Sequence, residues 1–515
     1  MTTRWAFVVA ALGLYGAAAP AQARPFRVQE TTIADVHAAI RGGRLTCRAL
    51  VSAYLRRIEL YDKQGPSINA ITVVNPDALA VADSLDKRYA AARQFVGPLH
   101  CIPMIVKDNF ETIGLQTAAG SLALKDYKPQ RDAFLVKRVK EAGAIVLAKS
   151  NMAEFAFSPL ETVNSLLPGY TRNPYALDRV TAGSSGGTAA AVASSLGEVG
   201  LGTDTGNSIR GPSAHNALVG IRSTMGLTSR AGVVPLNLFA DIAGPMARTM
   251  ADAVTVFQVV VGYDPDDPAT EASRSRAIPD YSKSLVRDGL RGARLGVLRR
   301  AYERPGIDSE VVRVFGNAIG ELRRAGATVL DTVVVPQLDS AMRLARGGCN
   351  PFKHELNAWL AAQGDRVPMK TLDTIIKSRL YHPSIQQRLE SAQAVQQSPD
   401  STPGCQGRQR VRDAVRAAVT QVMDSLHLDA LIYPTWSNPP RLIGDLNTPA
   451  GDNSQVFSPQ TGMPAITVPM GYTRSNALPA GLQMLGRAFD EPTLIKLGYS
   501  YEQATKHRRA PKSVP

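Results

Sequence analysis

The stretch HCIPMIVKDNF, residues 100–110, is a short apolar run that ends in charged and amide side chains. Two later stretches have the same form: GAIVLAKSNMAEF at residues 143–155 and LGEVGLGTDTGNS at residues 196–208. The segments between them, residues 131–142 and 187–195, have the pattern of helices. Apolar strands that alternate with helices predict an α/β fold, in which helices cover the faces of a sheet.

The carboxyl-terminal half of the chain completes this pattern. Residues 265–460 are less regular and mainly helical, rich in proline and arginine. Strand-like runs return at ALIYPTW, residues 430–436, and GMPAITVPMGY, residues 462–472. We therefore expect a single large domain at residues 24–515, whose sheet is interrupted by a helical, variable segment at about 265–460.

The N-terminus, MTTRWAFVVAALGLYGAAAPAQARPF, combines an early arginine, an apolar segment and small residues around Gln22. This pattern indicates a secretory signal peptide at residues 1–23, with cleavage after Ala23. A membrane anchor is the alternative, but the apolar segment is shorter than the roughly 20 residues that a helical span needs. We expect an exported protein, periplasmic or secreted, without a membrane span.

Export affects how the four cysteines are interpreted. An even number of cysteines in an oxidising compartment permits two disulfides. Cys349 and Cys405 both lie in loop-like sequence, which favours their pairing and leaves Cys47 for Cys101. Four free buried thiols are the alternative. The chain has no CxxC motif or Cys/His cluster, so we expect no metal site.

The formal net charge is +14, which raises the question of nucleic-acid binding. The densest basic runs, LRRAYERPG, GRQRVRDAVR and KHRRAPK, have the pattern of solvated helix faces or a tail. They lack the interleaved aromatic residues of a groove on which bases stack. We expect no nucleic-acid partner.

Two short motifs resemble known catalytic patterns without meeting their requirements. GSSGG, residues 183–187, matches the GxSxG pattern around Ser185, but a nucleophile elbow follows an apolar strand and this motif follows a polar run. GAIVLAKS, residues 143–150, has the outline of a phosphate-binding loop, but Ala148 stands where the loop needs glycine. We interpret the second motif as a strand.

Three blocks of the sequence together resemble a known family. The blocks are GPLHCIPMIVKDN at 97–109, TAGSSGGTAAAVAS at 181–194 and GTDTGNSIRGPS at 202–213. In this order they closely resemble the signature blocks of the amidase signature family. Further similar segments are KSNMAEFAFS, GLTSRAGVVPL, GPMARTMADAV, TGMPAITVPMG and LPAGLQMLGRAFDE. The resemblance implies a single α/β domain with a mixed, mostly central sheet covered by helices on both faces.

The family uses a Ser-cis-Ser-Lys triad, and this chain has the required residue type at each matching position. Lys107 matches the catalytic lysine, Ser184 the bridging serine that follows a cis peptide bond, and Ser208 the nucleophile. A serine hydroxyl needs a base to remove its proton, and none of the three blocks places a histidine for that role. Lysine can act as the base only when neutral, a form that burial favours. Lys107 follows the apolar run IPMIV, which fits a buried position.

The resemblance also assigns an oxyanion hole to the backbone amides of Thr205, Gly206, Asn207 and Ser208. Such donors stabilise the negative charge that develops on the carbonyl oxygen under attack. The family usually has glycine in place of Asn207. Because asparagine tolerates positive φ better than most residues, we expect the turn to survive the change.

Other departures and supporting residues surround these positions. Thr181 and Ala182 replace the family's usual proline and glycine, and Cys101 replaces a common glycine, which adds support for its pairing with Cys47. Supporting roles fall to Ser185 and to the loop-positioning residues Asp108, Asn109, Asp204 and Arg210.

The sequence therefore predicts an amidohydrolase that cleaves the C–N bond of a small amide through an acyl-enzyme on Ser208, without a metal or organic cofactor. Lys107 acts as base and acid through Ser184. Two alternatives stay open: a glutaminase-type subunit of a tRNA-dependent amidotransferase, and an inactive binding protein of the same fold.

Overall fold

The computed structural model describes residues 1–3, 26–157, 161–336, 338, 348–445, 447–449, 451–455 and 457–515. The predicted signal peptide falls almost entirely on residues 4–25, outside this set. Among the described residues, no helix has both the length and the apolar character to cross a bilayer.

The strands are named in chain order. They are β1 Ile71–Val74, β2 Pro103–Lys107, β3 Ile145–Ser150, β4 Arg172–Asn173, β5 Ala176–Val180, β6 Val199–Asp204, β7 Val219–Arg222, β8 Ile242–Ala247, β9 Arg294–Val297, β10 Thr328–Leu330, β11 Ala430–Pro434, β12 Ala465–Thr473 and β13 Leu478–Leu485.

The α-helices of the described residues are also named in chain order. They are α1 Ile33–Arg41, α2 Cys47–Ile58, α3 Ala78–Ala92, α4 Phe134–Glu141, α5 Gly186–Ala193, α6 Arg210–His215, α7 Met250–Val260, α8 Glu271–Arg274, α9 Ser309–Arg324, α10 Phe352–Gln363, α11 Leu372–Ser378, α12 Gln386–Gln393, α13 Pro403–Gln406, α14 Arg408–Ser425, α15 Ser458–Thr461 and α16 Glu491–Thr505.

Eleven of these strands form one mixed sheet, in the order β1-β3-β2-β6-β8-β7-β12-β13-β11-β9-β10. The strands β3, β2 and β6, toward one end of the sheet, run parallel, as do β11, β9 and β10 at the other end. The hairpin β12–β13 pairs with β7 on one side and β11 on the other, antiparallel in both cases. The structure thus confirms the predicted α/β class with a large mixed sheet.

The interior strands are buried along their whole length because both faces of the sheet are covered. Every residue of β2, β3 and β6 is buried. The helix α5 packs on β2, β6 and β8 with only glycine, alanine, threonine and valine. A Cβ added at Gly187 would lie 2.2 Å from the carbonyl oxygen of Asn151, so this approach requires glycine.

Residues 265–460 contain more of the sheet than the sequence indicated. Besides β11, two further strands of the sheet, β9 and β10, lie in this span. The sequence pattern does not indicate these two strands, because they have only four and three residues and lie on either side of a long amphipathic helix, α9, in the chain. Within this span, α10 to α12 build a second apolar cluster against residues 118–127 and 152–156.

Both cysteine pairs are bonded in the structure. Cys47, at the start of α2, is bonded to Cys101, with the Cα atoms 5.1 Å apart. Cys349 is bonded to Cys405, with the Cα atoms 4.8 Å apart. These are the pairs that the sequence favoured.

Candidate active site

The carboxyl ends of the neighbouring strands β2 and β6 bring Lys107 and Thr203 together. Lys107 is the last residue of β2 and is fully buried. Its Nζ lies 2.8 Å from Ser184 Oγ, 2.7 Å from Thr203 Oγ1 and 3.4 Å from the Thr203 carbonyl oxygen. The amine therefore has three oxygen neighbours, two of which are hydroxyl groups that can donate as well as accept.

Burial lowers the pKa of Lys107 to about 7, although the carboxylates of Asp204 and Asp241 act in the opposite direction. Burial lowers the pKa because the ammonium ion loses its hydration, while the neutral amine loses much less. A neutral Nζ has two N–H groups, which can donate to Thr203, and one lone pair, which can accept the Ser184 hydroxyl proton. The site can therefore hold Lys107 as a base near neutral pH.

The GSSGG segment lies beside this lysine. The Gly183–Ser184 peptide bond is cis. Ser185, at the N-terminus of α5, donates its hydroxyl proton to the Thr203 carbonyl oxygen over 3.1 Å. Ser185 is thus tied to the backbone of β6, as a supporting residue would be. Since its hydroxyl is buried there, the segment does not form an exposed nucleophile elbow.

Ser208 lies in the turn between β6 and α6, at the wall of a cavity of about 340 Å³. Thr205, Gly206, Asn207 and Ser208 all line this cavity. Within the described part of the chain, the N–H groups of Gly206, Asn207 and Ser208 have no hydrogen-bond acceptor. Three adjacent free donors at a cavity wall form a site that can accept a negatively charged oxygen.

A buried ion-pair network fixes this turn. The Asp204 carboxylate accepts hydrogen bonds from Arg210 Nε at 3.0 Å and Arg222 Nη1 at 2.9 Å. It also accepts from the backbone N–H of Ile209 and of Arg210. The two guanidinium groups hold the pKa of Asp204 at about 2 despite its burial. Asp204 and Arg210 therefore position the loop, as the sequence suggested.

Asn109 and Asp108 continue this scaffold. Asn109 Nδ2 donates to Thr203 Oγ1 over 3.1 Å, so Thr203 is shared between Asn109 and Lys107. Asp108 Oδ2 accepts from the N–H of Gly120 at 2.9 Å and anchors the loop that follows β2. Both side chains are buried, away from the cavity wall.

The sequence-based explanation that the turn accepts Asn207 because asparagine tolerates positive φ is wrong. Asn207 does not have positive φ in the structure, so the turn places no special demand on this residue. Two other replacements of family glycines do have left-handed backbone: Cys101 with φ 64° and Ala182 with φ 58°. The Asn207 side chain lies over Gly211, where an added Cβ would be 2.8 Å from Asn207 Nδ2.

The structure adds residues that the sequence analysis did not single out. Thr203 is the direct neighbour of Lys107, and its place in the block GTDTGNS was the available signal. Asp241 accepts the hydroxyl proton of Thr205 and comes from a distant segment with no signal in the sequence. The cavity is also lined by side chains from the helical half of the chain: Arg388, Arg408, Gln455 and Gln460.

Cys47, His100 and Cys101 form a compact buried group, with one potential ligand atom of each residue within 4.8 Å of the others. The sequence gives no sign of this group, because Cys47 is distant in the chain from His100 and Cys101. The two sulfur atoms are bonded to each other here, so they are not available as thiolate ligands.

Comparison with known proteins places this chain in a family. The family model described as Amidase matches residues 49–495. The chain is similar to the crystal structure of a peptide amidase from Stenotrophomonas maltophilia, with a TM-score of 0.84 and 36% identity over 94% of this chain and 99% of that chain. It is also 34% identical to a probable amidase of Arabidopsis thaliana, over 95% of this chain and 93% of the relative.

A third relative is an amidotransferase subunit, the kind of protein that the sequence left open as an alternative. The chain is 32% identical to a glutamyl-tRNA(Gln) amidotransferase subunit of Halorhodospira halophila, over 94% of this chain and 99% of the relative. Both kinds of relative support hydrolysis of an amide C–N bond. The chain therefore belongs to the amidase family and is a hydrolase of carbon–nitrogen bonds other than peptide bonds.

Proposed function

We propose that this protein hydrolyses amides through an acyl-enzyme on Ser208, with Lys107 and Ser184 as the proton relay. The observation that carries the proposal is the buried contact of 2.8 Å between Lys107 Nζ and Ser184 Oγ. A lysine with a pKa of about 7 is a competent base at neutral pH.

In the first step, Ser208 Oγ attacks the carbonyl carbon of the amide. Its proton passes to Ser184 Oγ, and the Ser184 proton passes to the lone pair of Lys107 Nζ. The free N–H groups of Gly206, Asn207 and Ser208 stabilise the oxyanion, with Thr205 at the start of the same turn. Ser208 Oγ makes no hydrogen bond within the described residues, and catalytic contacts of this kind often form only when substrate binds.

In the second step, the tetrahedral intermediate collapses and the C–N bond breaks. The leaving nitrogen takes its proton from Lys107 through Ser184, which restores the neutral amine. Water then attacks the acyl-enzyme with the same relay as base, and the acid product leaves. The cycle needs no group beyond these side chains and water.

For the substrate, we propose a peptide amide or a similar amide with an extended acyl part. The support is the similarity to a peptide amidase along nearly the whole length of both chains. The cavity of about 340 Å³ is lined by Phe157, Leu236 and Phe239 as well as by polar residues. Such a mixed wall suits an acyl group that has both apolar and hydrogen-bonding parts.

We also propose that the protein is exported after cleavage behind Ala23. The support is the N-terminal pattern of one arginine, an apolar segment and Ala21-Gln22-Ala23. The mass and N-terminal sequence of protein recovered from the periplasm or medium test this. A mature chain that begins at Arg24 supports export, and an intact N-terminus in the cytoplasm contradicts it.

The test of the catalytic proposal is a hydrolysis screen over peptide amides, anilides, simple primary amides and free glutamine, with Ser208→Ala and Ser213→Ala in parallel. Ser213 is a buried serine on α6 that does not line the cavity, so it provides a matched control. We expect Ser208→Ala to abolish the activity and Ser213→Ala to retain it. Activity that survives in Ser208→Ala contradicts the proposed nucleophile.

The same screen distinguishes the alternatives. Hydrolysis of glutamine alone, with no turnover of peptide amides, would favour the glutaminase-type function. An inactive binding protein would turn over none of the amides and would not react with a serine-directed fluorophosphonate. We expect fluorophosphonate to label the wild type and Ser213→Ala but not Ser208→Ala.

A further inference from the structure

A second cavity adjoins the proposed catalytic cavity. Its volume is about 450 Å³, within the roughly 300–1,000 Å³ usual for small-molecule sites. Phe239 and Arg408 belong to the walls of both cavities. We name the second cavity the arginine pocket, because Arg230, Arg408, Arg412 and Arg416 line it.

The helix α14 concentrates three of these charges on one face. Arg408, Arg412 and Arg416 are four residues apart, the spacing that places side chains next to each other along a helix. Phe239 lies against two of them, with its ring centroid 4.2 Å from Arg408 Cζ and 3.4 Å from Arg412 Cζ. The aromatic face holds both guanidinium groups at the border between the two cavities.

Little negative charge balances these three arginines. Arg412 is only 4% exposed, and the acceptors of its hydrogen bonds in the described chain are the carbonyl oxygens of Phe239, Pro459 and Gln460. Burial and the neighbouring arginines lower the pKa of Arg412 to about 9. Placing an unpaired guanidinium in a buried position is costly unless another group compensates its charge.

The nearby carboxylates compensate only in part. Asp267 forms an ion pair with Arg230, on the opposite wall, and is therefore already used. Asp413 lies 3.9 Å from Arg416 and is exposed to solvent. Glu355 and Asp400 act on Arg408 from a greater distance, without a hydrogen bond to it in the described residues.

We propose that the arginine pocket binds an organic oxyanion, that is, a phosphate or carboxylate group carried on a small apolar body. Guanidinium groups bind such oxygens with paired, charge-assisted hydrogen bonds. The rest of the wall supplies the apolar contacts, from Met225, Leu238 and Phe489. The anion compensates the positive charge that the protein leaves unpaired.

The oxyanion can reach the pocket in two ways. It can be a separate ligand, or it can be the far end of an amide substrate whose reacting end lies at Ser208. The shared wall of Phe239 and Arg408 makes the second route short. The binding chemistry is the same in both cases, and only the second depends on the proposed function.

The test is calorimetric titration of the whole protein with phenyl phosphate, followed by inorganic phosphate. We expect Arg412→Gln to weaken phenyl phosphate binding by about tenfold, the loss of roughly one charge-assisted hydrogen bond. The control is Arg410→Gln on the same helix, because Arg410 is exposed and does not line the pocket. It changes the net charge equally, so it should leave the affinity within about twofold of the wild type.

Because Arg412 also ties two loops together, a second variant protects the test against misfolding. Gln409→Glu adds a negative charge to the pocket wall and keeps every arginine in place. We expect it to weaken phenyl phosphate binding with an unchanged circular dichroism spectrum. Equal affinity in the wild type, Arg412→Gln and Gln409→Glu, or no heat of binding at all, overturns the proposal.

Kinetics then identify the source of the anion. Competitive inhibition of amide hydrolysis by phenyl phosphate supports the far end of a substrate, and binding without competition supports a separate ligand. Ser208→Ala should bind phenyl phosphate as the wild type does. Anion binding in that variant therefore separates a failure of the arginine pocket from a failure of the proposed catalytic function.

Discussion

Two buried lysines on neighbouring strands have different surroundings. Lys107 ends β2, and Lys149 lies on β3, paired in register with Val106. Both are fully buried, and burial lowers the pKa of both. Their environments differ in the kind of oxygen that each Nζ contacts, and this difference determines whether the amine can give up a proton.

Lys149 is surrounded by groups that only accept. Its Nζ donates to the Phe110 carbonyl oxygen at 2.6 Å, to the Gln116 carbonyl oxygen at 3.4 Å and to Thr117 Oγ1 at 2.9 Å. Thr117 already donates its hydroxyl proton to Phe110. All three N–H groups are needed, and the Asp108 carboxylate further favours the charged form.

Lys107 instead contacts the hydroxyl groups of Ser184 and Thr203, and these can reverse the direction of a hydrogen bond. Loss of a proton leaves no buried group without a partner. The comparison teaches that burial alone does not make a lysine a base. The neighbours must also be able to satisfy its neutral form.

The largest expected effect comes from Lys107→Met, which keeps the length of the side chain and removes the amine. We expect kcat/KM to fall by about a thousandfold, in the range of a lost general base. The thermal midpoint should not fall, because the variant removes a buried ionisable group. Steady-state kinetics and thermal unfolding measure both effects. Retention of a tenth of the activity would contradict the role of Lys107.

The matched variant Lys149→Met should have the opposite outcome. It removes the hydrogen bonds that Lys149 donates to the Phe110 and Gln116 carbonyl oxygens and to Thr117. It also removes a buried positive charge that acts on the Asp108 carboxylate. We expect a loss of about 1–3 kcal/mol in the free energy of unfolding, the cost of leaving buried polar groups without a hydrogen bond. The kcat of the folded fraction should stay within about threefold of the wild type. Denaturant unfolding and active-site titration measure the two quantities. A stable but inactive variant would contradict the structural role of Lys149.

The pH dependence of kcat/KM tests whether Lys107 acts as a base in its neutral form. Because Lys107 must be neutral to act, the rate should rise with pH through its pKa of about 7 and level off above it. Glu355 also has a pKa of about 7, raised mainly by burial, so Glu355→Gln is the control. The acid limb should stay in place in that variant. A flat profile between about pH 5 and 9 would count against a titrating lysine base.

The smallest effect is expected from Asp241→Asn. The Asp241 carboxylate raises the pKa of Lys107, so its neutralisation should move the acid limb of kcat/KM to lower pH. Thr205→Val removes the hydrogen bond to Asp241 without changing the charge, and should leave the limb where it is. A shift in both variants would point to loop distortion instead of charge.

The sequence predicted the longer apolar strands better than the shortest ones. The strands β2, β3 and β6 were predictable because their apolar runs are continuous and end in polar turns. The strands β9 and β10 were missed, since four and three residues carry too little pattern. Only β10 lies at the end of the sheet; β9 pairs with both β11 and β10, so its short length alone explains why it was missed.

The candidate site shows a similar division. Lys107, Ser184 and Ser208 were located by motif, and the first two are in contact. Side chains that affect the pKa of Lys107, such as Asp241, come from segments far away in the chain. A local sequence pattern does not predict such long-range contacts. The explanation for Asn207 failed because backbone conformation was inferred from residue type, whereas the unusual conformations lie at Cys101 and Ala182.

The position of the β12–β13 hairpin between β7 and β11 affects how the chain folds during synthesis. During synthesis, β7 leaves the ribosome more than two hundred residues before β12, its neighbour in the sheet. Until the hairpin emerges, β7 and β11 each have an open edge that can pair with other chains. A nascent or truncated chain that stops before β12 therefore has two unjoined half-sheets, and these need a chaperone or an unfolded state to avoid aggregation.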